Sequence, residues 1–329
     1  MIRRGIAGLV VLLCLAPLAA PPPAAAQDEL VPAGVWRLHA ELAARSESRA
    51  WTRLHSEGPL LDILVPDDAV RGALQGGVER DVLQSDLLGA YGVSDTWNLA
   101  LRLTWRRVAQ RSSVSADPAN AAAQAEAGRL GSRTVSGLGR LHLASLSRPI
   151  FLDRHSLALG YGVDWPLRRP ESLWAGRSTL LVDPPFPRVF GLLHYTFYPF
   201  YERTRVDLRA EGGVAVTQRR QLQGGGFSSV NPGNDLALSL GWGQEWGALA
   251  GEAAYLLERH GESRLNVAKQ GDAMVDNRLR LRLGYGNLNA LERAPVAFPF
   301  QAQLTYEHSV RGFNAPIRRE LRLGLQFYF

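Results

Sequence analysis

Apolar and polar residues alternate one by one along most of this chain. After Ala26 no apolar run lasts long enough to cross a bilayer as a helix. From Trp97 to Trp105, the residues Trp97, Leu99, Leu101, Leu103 and Trp105 share one face, and Asn98, Ala100, Arg102 and Thr104 share the other. Leu157 to Trp165, Leu279 to Tyr285 and Leu321 to Phe329 repeat the pattern, with Arg278, Arg280 and Arg282 between the leucines of the third stretch. Successive strand side chains point to opposite faces, so each stretch is a strand with one apolar and one polar side. A mean hydropathy of −0.11 excludes a helical membrane protein. It leaves a membrane β-barrel open, because averaging the lipid face with the lumen face hides the apolar signal. With 46% hydrophobic and 21% charged residues the chain is no disordered polymer, and its one cysteine supports neither a disulfide framework nor a thiolate metal cluster.

Two further patterns separate a membrane barrel from a soluble sandwich. Aromatic residues sit at the ends of the apolar faces, namely Trp97, Trp105, Trp165, Trp242, Tyr285, Phe298, Phe300, Phe327 and Phe329, while Leu, Val and Ala fill the middles. This is the girdle expected where rings lie at both headgroup levels. The periodicity predicts strands over 34–45, 78–93, 96–108, 136–147, 155–166, 187–199, 202–217, 234–243, 246–258, 277–287, 297–309 and 318–329. Links after odd-numbered strands are long, and the others are generally short: Ser94-Asp95, 148–154, Phe200-Tyr201, Gln244-Glu245 and 288–296. That is the rhythm of an all-β, closed antiparallel barrel with periplasmic turns and extracellular loops.

The first residues read as a secretory leader: Arg3 and Arg4, an apolar run from Gly5 to Ala20, and cleavage after Ala26. Residues 27–329 then form the barrel, placed in the outer membrane of a Gram-negative bacterium. The strand ending in Leu325, Phe327 and Phe329 is similar to the signal by which the barrel assembly machinery recognises its clients. Export makes nucleic acid an unsuitable partner despite a pI of 9.8.

Three stretches resemble the meta-pathway phenol-degradation family of outer-membrane transporters: Tyr91-Gly-Val-Ser-Asp-Thr-Trp-Asn-Leu-Ala-Leu; Gly137-Leu-Gly-Arg140 with Leu141 and Leu143, followed by the strand from Leu157 to Trp165 and Pro166; and Gly312-Phe-Asn-Ala-Pro316 before the closing strand. Arg140 stands where that family usually carries aspartate. The resemblance implies passive or facilitated uptake of small organic compounds, aromatic or apolar ones among them.

The lumen walls are the polar faces. They offer Arg37, Glu41, Arg102, Arg106, Arg140, Asp164, Arg205, Asp207, Arg209, Glu211, Glu252, Arg278, Arg280, Arg282, Glu307, Glu320 and Arg322. Both signs occur, so cross-strand pairing is expected. The ladder Arg278, Arg280 and Arg282 would favour anions unless Glu252 and Glu307 on the adjacent strands neutralise it. In the link 109–135, Asp117 as N-cap, Pro118 and the alanine-rich run to Ala127 predict a short helix, either folded into the pore or solvated on the surface. Some twelve-stranded barrels are lipid hydrolases, but His155-Ser156 and the pair His142 and Ser145 fall on opposite faces, and no nucleophile-elbow glycines occur. Asp67-Asp68 alone makes no calcium loop. The sequence points to no catalytic, cofactor or metal residues, and the readings rank as solute channel, plugged structural or surface-interaction barrel, then hydrolase.

Overall fold

Alternation becomes a wall once neighbouring strands pair. The computed structural model describes residues 31–65, 67–152, 154–167, 186–200, 204–221, 227–231, 233–262, 264–265, 268–269, 273–286 and 299–329. The leader 1–26, Phe298 and the link 288–296 lie outside these residues, as does the run Gly224, Gly225 and Gly226, which the sequence marks as a loop. The barrel strands are β1 (Trp36–Glu47), β2 (Val78–Ser94), β3 (Trp97–Ser112), β4 (Arg133–Leu152), β5 (His155–Pro166), β6 (Arg188–Phe200), β7 (Thr204–Ala215), β8 (Asn234–Trp246), β9 (Leu249–His260), β10 (Met274–Gly286), β11 (Phe300–Phe313) and β12 (Arg319–Tyr328). Each pairs antiparallel with its sequence neighbour, and β12 returns to β1 from Arg37 opposite Tyr328 to Ser46 opposite Arg319, which closes the barrel. The seam is finished by two backbone bonds, Trp36 N to Phe329 O at 3.0 Å and Phe329 N to Trp36 O at 2.9 Å.

The expected strands all form, but several run further than the alternation indicates. On β3 the outward positions after Trp105 are Arg107, Ala109 and Arg111, while pairing with β2 continues to Ser112. The apolar pattern reports contact with lipid; hydrogen bonding persists above it. β4 likewise runs to Leu152, so the turn expected at 148–154 shrinks. Gln244 and Glu245 belong to β8, and the turn falls at Gly247, whose φ of 66° lies in the left-handed region. Gly139 forms a bulge between the pairs Thr104–Arg140 and Trp105–Leu138. It switches the inward positions of β4 from Arg133, Val135 and Gly137 to Arg140, His142, Ala144 and Leu146.

Two pieces of chain outside the strands close the barrel ends. At the extracellular mouth, helices α1 (Leu61–Leu64), α2 (Asp68–Gly72) and α3 (Ala121–Arg129) bury Leu60, Leu61, Leu64, Val65, Ala123 and Leu130 together with Leu74 and the lumen-facing Val78. Lumen-facing Gln110 donates to the carbonyl of Leu130 at 2.8 Å, which ties this lid to the inner wall. The alanine-rich helix is therefore neither alone nor solvated all round. Its N-cap is Asn120, which accepts from Ala123 N at 3.0 Å, and not the expected Asp117. Asp117 accepts from Ala119 N at 2.9 Å and so closes the turn just upstream. Asp67 caps α2, accepting from Ala69 N at 2.9 Å.

At the other end Val31 is 1% exposed and packs on lumen-facing Ala90, Ala100 and Leu146, with Val35, Leu88, Ala144 and Leu192 around it. The segment is held by Gly34 N to Gly92 O at 2.8 Å and Gly92 N to Val35 O at 3.0 Å. The fully buried Asn98 amide addresses both backbone groups of Val31, donating to its carbonyl at 3.0 Å in the orientation that satisfies both.

Candidate functional site

The lumen wall is the candidate site, and its charged residues come from the inward positions of every strand. Each candidate that the alternation placed on a polar face does face inwards. The arginine ladder on β10 is neutralised. Glu252 on β9 accepts from Arg280 at 3.1 Å, from Arg282 at 3.3 Å and from Arg205 on β7 at 3.0 Å. Glu307 on β11 accepts from Arg278 at 2.7 Å and lies 3.4 Å from Arg322 of β12. Arg278 also meets Glu258 and Asp276, and Arg322 meets Glu320 and, at 3.6 Å, Glu41. The row is a set of cross-strand clamps rather than a stack of uncompensated charge.

A second cluster lies across the lumen. Asp164 on β5, 1% exposed, takes Arg140 at 3.2 Å, His142 at 2.6 Å and Arg188 at 2.9 Å. Arg188 continues to Glu211 at 2.6 Å and Asp235 at 3.2 Å, so one guanidinium ties β5, β6, β7 and β8 together. Arg102 approaches His142 at 3.5 Å. The alternation missed Arg188, Asp235, Glu258 and Asp276, which stand near strand ends, where the apolar face runs out on one side of each residue.

Between these clusters, Arg106 donates to Gln84 at 3.0 Å through Nε, and Arg80 to Gln110 at 3.0 Å. Below them the wall turns apolar: Leu88, Ala90, Ala100, Ala144, Leu146 and Leu192 line the end that Val31 occupies. The charged belt is not fully packed: the side chains of Arg140, Arg188, Arg280, Arg282 and Arg322 keep 19%, 17%, 20%, 25% and 30% of their surface.

Four histidines are committed to structural partners. His142 stacks on Phe190 with centroids 4.5 Å apart. His260 bonds Asp235 at 2.7 Å, and His155 bonds the Tyr195 hydroxyl at 2.6 Å. His194 and Thr196 converge, yet both address Asp207, at 3.2 and 2.8 Å. The hydroxyl is spent on the carboxylate, which is the wrong order for a nucleophile activated by an imidazole.

Outside, Trp97, Trp105, Trp165, Trp242 and Tyr285 all lie on outward positions, and Leu321, Leu325 and Phe329 are exposed on β12 and just beyond it.

No protein-family model matches the chain, and no curated protein matches it by sequence. Among solved structures, it superposes on an outer membrane channel from Pseudomonas putida F1 with a TM-score of 0.65 at 13% identity, over 92% of this chain and 98% of that one. The NanC porin gives 0.45 at 9% identity over 88% and 98%. The CymD monoaromatic hydrocarbon channel gives 0.37 at 9% identity over 91% and 88%. At these identities the likeness is one of fold, and the first superposition alone is close. The chain is a transmembrane β-barrel of the Gram-negative outer membrane.

Proposed function

We propose that the barrel is a channel that admits small organic molecules to the periplasm. The observation that carries this is the partly exposed charged belt on the lumen wall. Its arginines tie strands one or two apart along the wall, and the pieces packed into the two ends are loops and the segment around Val31. A barrel built only as a scaffold would fill its own centre, as small barrels do. The apolar end wall around Leu88, Ala100 and Leu192, which Val31 covers, would give a solute with a ring or short alkyl body a surface to rest on once that segment withdraws. The three stretches similar to the meta-pathway phenol-degradation family support the same solute class.

Single-channel recording in planar bilayers tests this reading. Discrete ion-conducting steps are expected from the purified barrel, and a barrel that never conducts would put the plugged scaffold ahead of the channel. Labelling by a serine-directed fluorophosphonate would instead revive the hydrolase.

Ion preference gives a second test. Glu252 can offset only one of Arg280 and Arg282, but Glu258, Asp276 and Glu307 surround Arg278, so the three-arginine ladder as a whole adds little net field to the lumen. Arg280→Gln is therefore expected to leave the sign of the reversal potential in a salt gradient unchanged. A switch of the preferred ion would show that the ladder, and not its neutralised form, faces the passing solute.

A further inference from the structure

The lumen arginines all work inside the barrel; four others do not. Arg107, Arg259, Arg311 and Arg319 are exposed on outward positions at the extracellular end, and none has a side-chain hydrogen bond or ion pair among the described residues. Three of them form one patch. Arg259 on β9 stands opposite Val275, and Asn277, two residues along β10, stands opposite Arg311 on β11. Arg319 on β12 stands opposite His308 of β11. With strands about 4.8 Å apart and residues about 3.3 Å apart along them, Arg311 lies on the order of 10 Å from each of the other two, and the ends of the row, Arg259 and Arg319, lie roughly 20 Å apart, a span that long arginine side chains and a headgroup with two phosphates can bridge.

The height of the patch is set by the aromatic residues beneath it. Tyr255 and Tyr306 are 45% and 43% exposed on the lipid face. Arg259 follows Tyr255 by two outward positions, and Arg319 sits one outward position above Leu321, the partner of Tyr306. The guanidinium groups thus lie just above the girdle, at the level of the headgroups. No acidic side chain shares this outward surface among the described residues of β9 to β12. On the opposite side of the barrel the rim compensates itself, with Arg111 3.3 Å from Asp81.

We propose that Arg259, Arg311 and Arg319 form a binding site for the phosphate groups of a phosphorylated glycolipid in the outer leaflet. Guanidinium forks bind phosphate bidentately, and basic residues at a membrane surface attract anionic headgroups. The acyl chains would lie along the leucine face below, past Leu257, Leu279 and Leu321.

The test uses the full-length folded barrel in detergent micelles, titrated with bisphosphorylated lipid A and followed by native mass spectrometry. Binding is expected to weaken at least tenfold in the triple variant Arg259→Gln/Arg311→Gln/Arg319→Gln, and lipid A stripped of its phosphates is expected to bind neither form. Heat-modifiable migration on a gel checks that the variant is folded; should it not be, Arg311→Gln and Arg319→Gln singly are each expected to weaken binding. Equal binding by folded variants overturns the site, as does equal binding of dephosphorylated lipid A. Displacement of lipid A by equimolar inorganic phosphate overturns the glycolipid as its occupant.

Discussion

Gly92→Val is expected to raise the unit conductance of the barrel several-fold. A Cβ at position 92 would lie 1.9 Å from the carbonyl oxygen of Pro32 and 2.6 Å from that of Val31. Both contacts are with backbone, which cannot rotate away. Strand β2 is fixed by pairing with β1 and β3 along its length, whereas the segment 31–35 is held by the bonds through Gly34, Val35 and Asn98. The weaker partner moves, so the segment leaves the lumen and uncovers Ala90, Ala100, Leu146 and Leu192. Conductance and the uptake of apolar solutes into liposomes should then rise together. If both stay at the level of the unmodified barrel, the segment does not obstruct the path and the solute passes elsewhere.

This closure also shows where sequence reading stops. The period-two pattern made the barrel legible because lipid on one side and water on the other impose opposite demands on successive residues, and Leu99, Leu101 and Leu103 against Asn98, Arg102 and Thr104 record both. Val31, Pro32 and Val35 carry no such period. Their role is visible only from Gly92 and Asn98, some sixty residues away, which leave room for them and bond them. The lid is a similar case. Its apolar run Leu60, Leu61, Ile63, Leu64 and Val65 stands in what reads as a loop, and a buried helix was the available explanation for so many leucines there. Arg188 is a third: its residue type is evident, but its partners Asp164, Glu211 and Asp235 come from three other strands, and register is a property of pairing, not of composition. The charge balance of the β10 ladder was posed correctly by the alternation, since Glu252 and Glu307 fall on the adjacent strands; only the distances decide it.

Glu307→Gln should destabilise the folded barrel by about 3–5 kcal/mol, the usual cost of removing one partner from a buried ion pair. Glu307 is 1% exposed and stands between Arg278, 3% exposed, at 2.7 Å and Arg322 at 3.4 Å. The amide retains one acceptor oxygen but no charge, so the buried Arg278 and the partly exposed Arg322 face each other with less compensation. The loss falls on β10, β11 and β12 together, and these strands carry the chain to the seam with β1. Urea unfolding of the barrel in lipid vesicles, read from tryptophan fluorescence, measures the cost. A companion variant separates charge from packing. Arg322→Gln added to Glu307→Gln removes one of the two stranded cations, while Arg278 keeps Glu258 and Asp276. The double variant should therefore lose less than the sum of the singles, with a coupling within the 0.5–3 kcal/mol range typical of contacting residues. Strict additivity, or a Glu307→Gln barrel as stable as the parent, would mean that lumen water already screens these charges and that the clamps do not hold the closing strands.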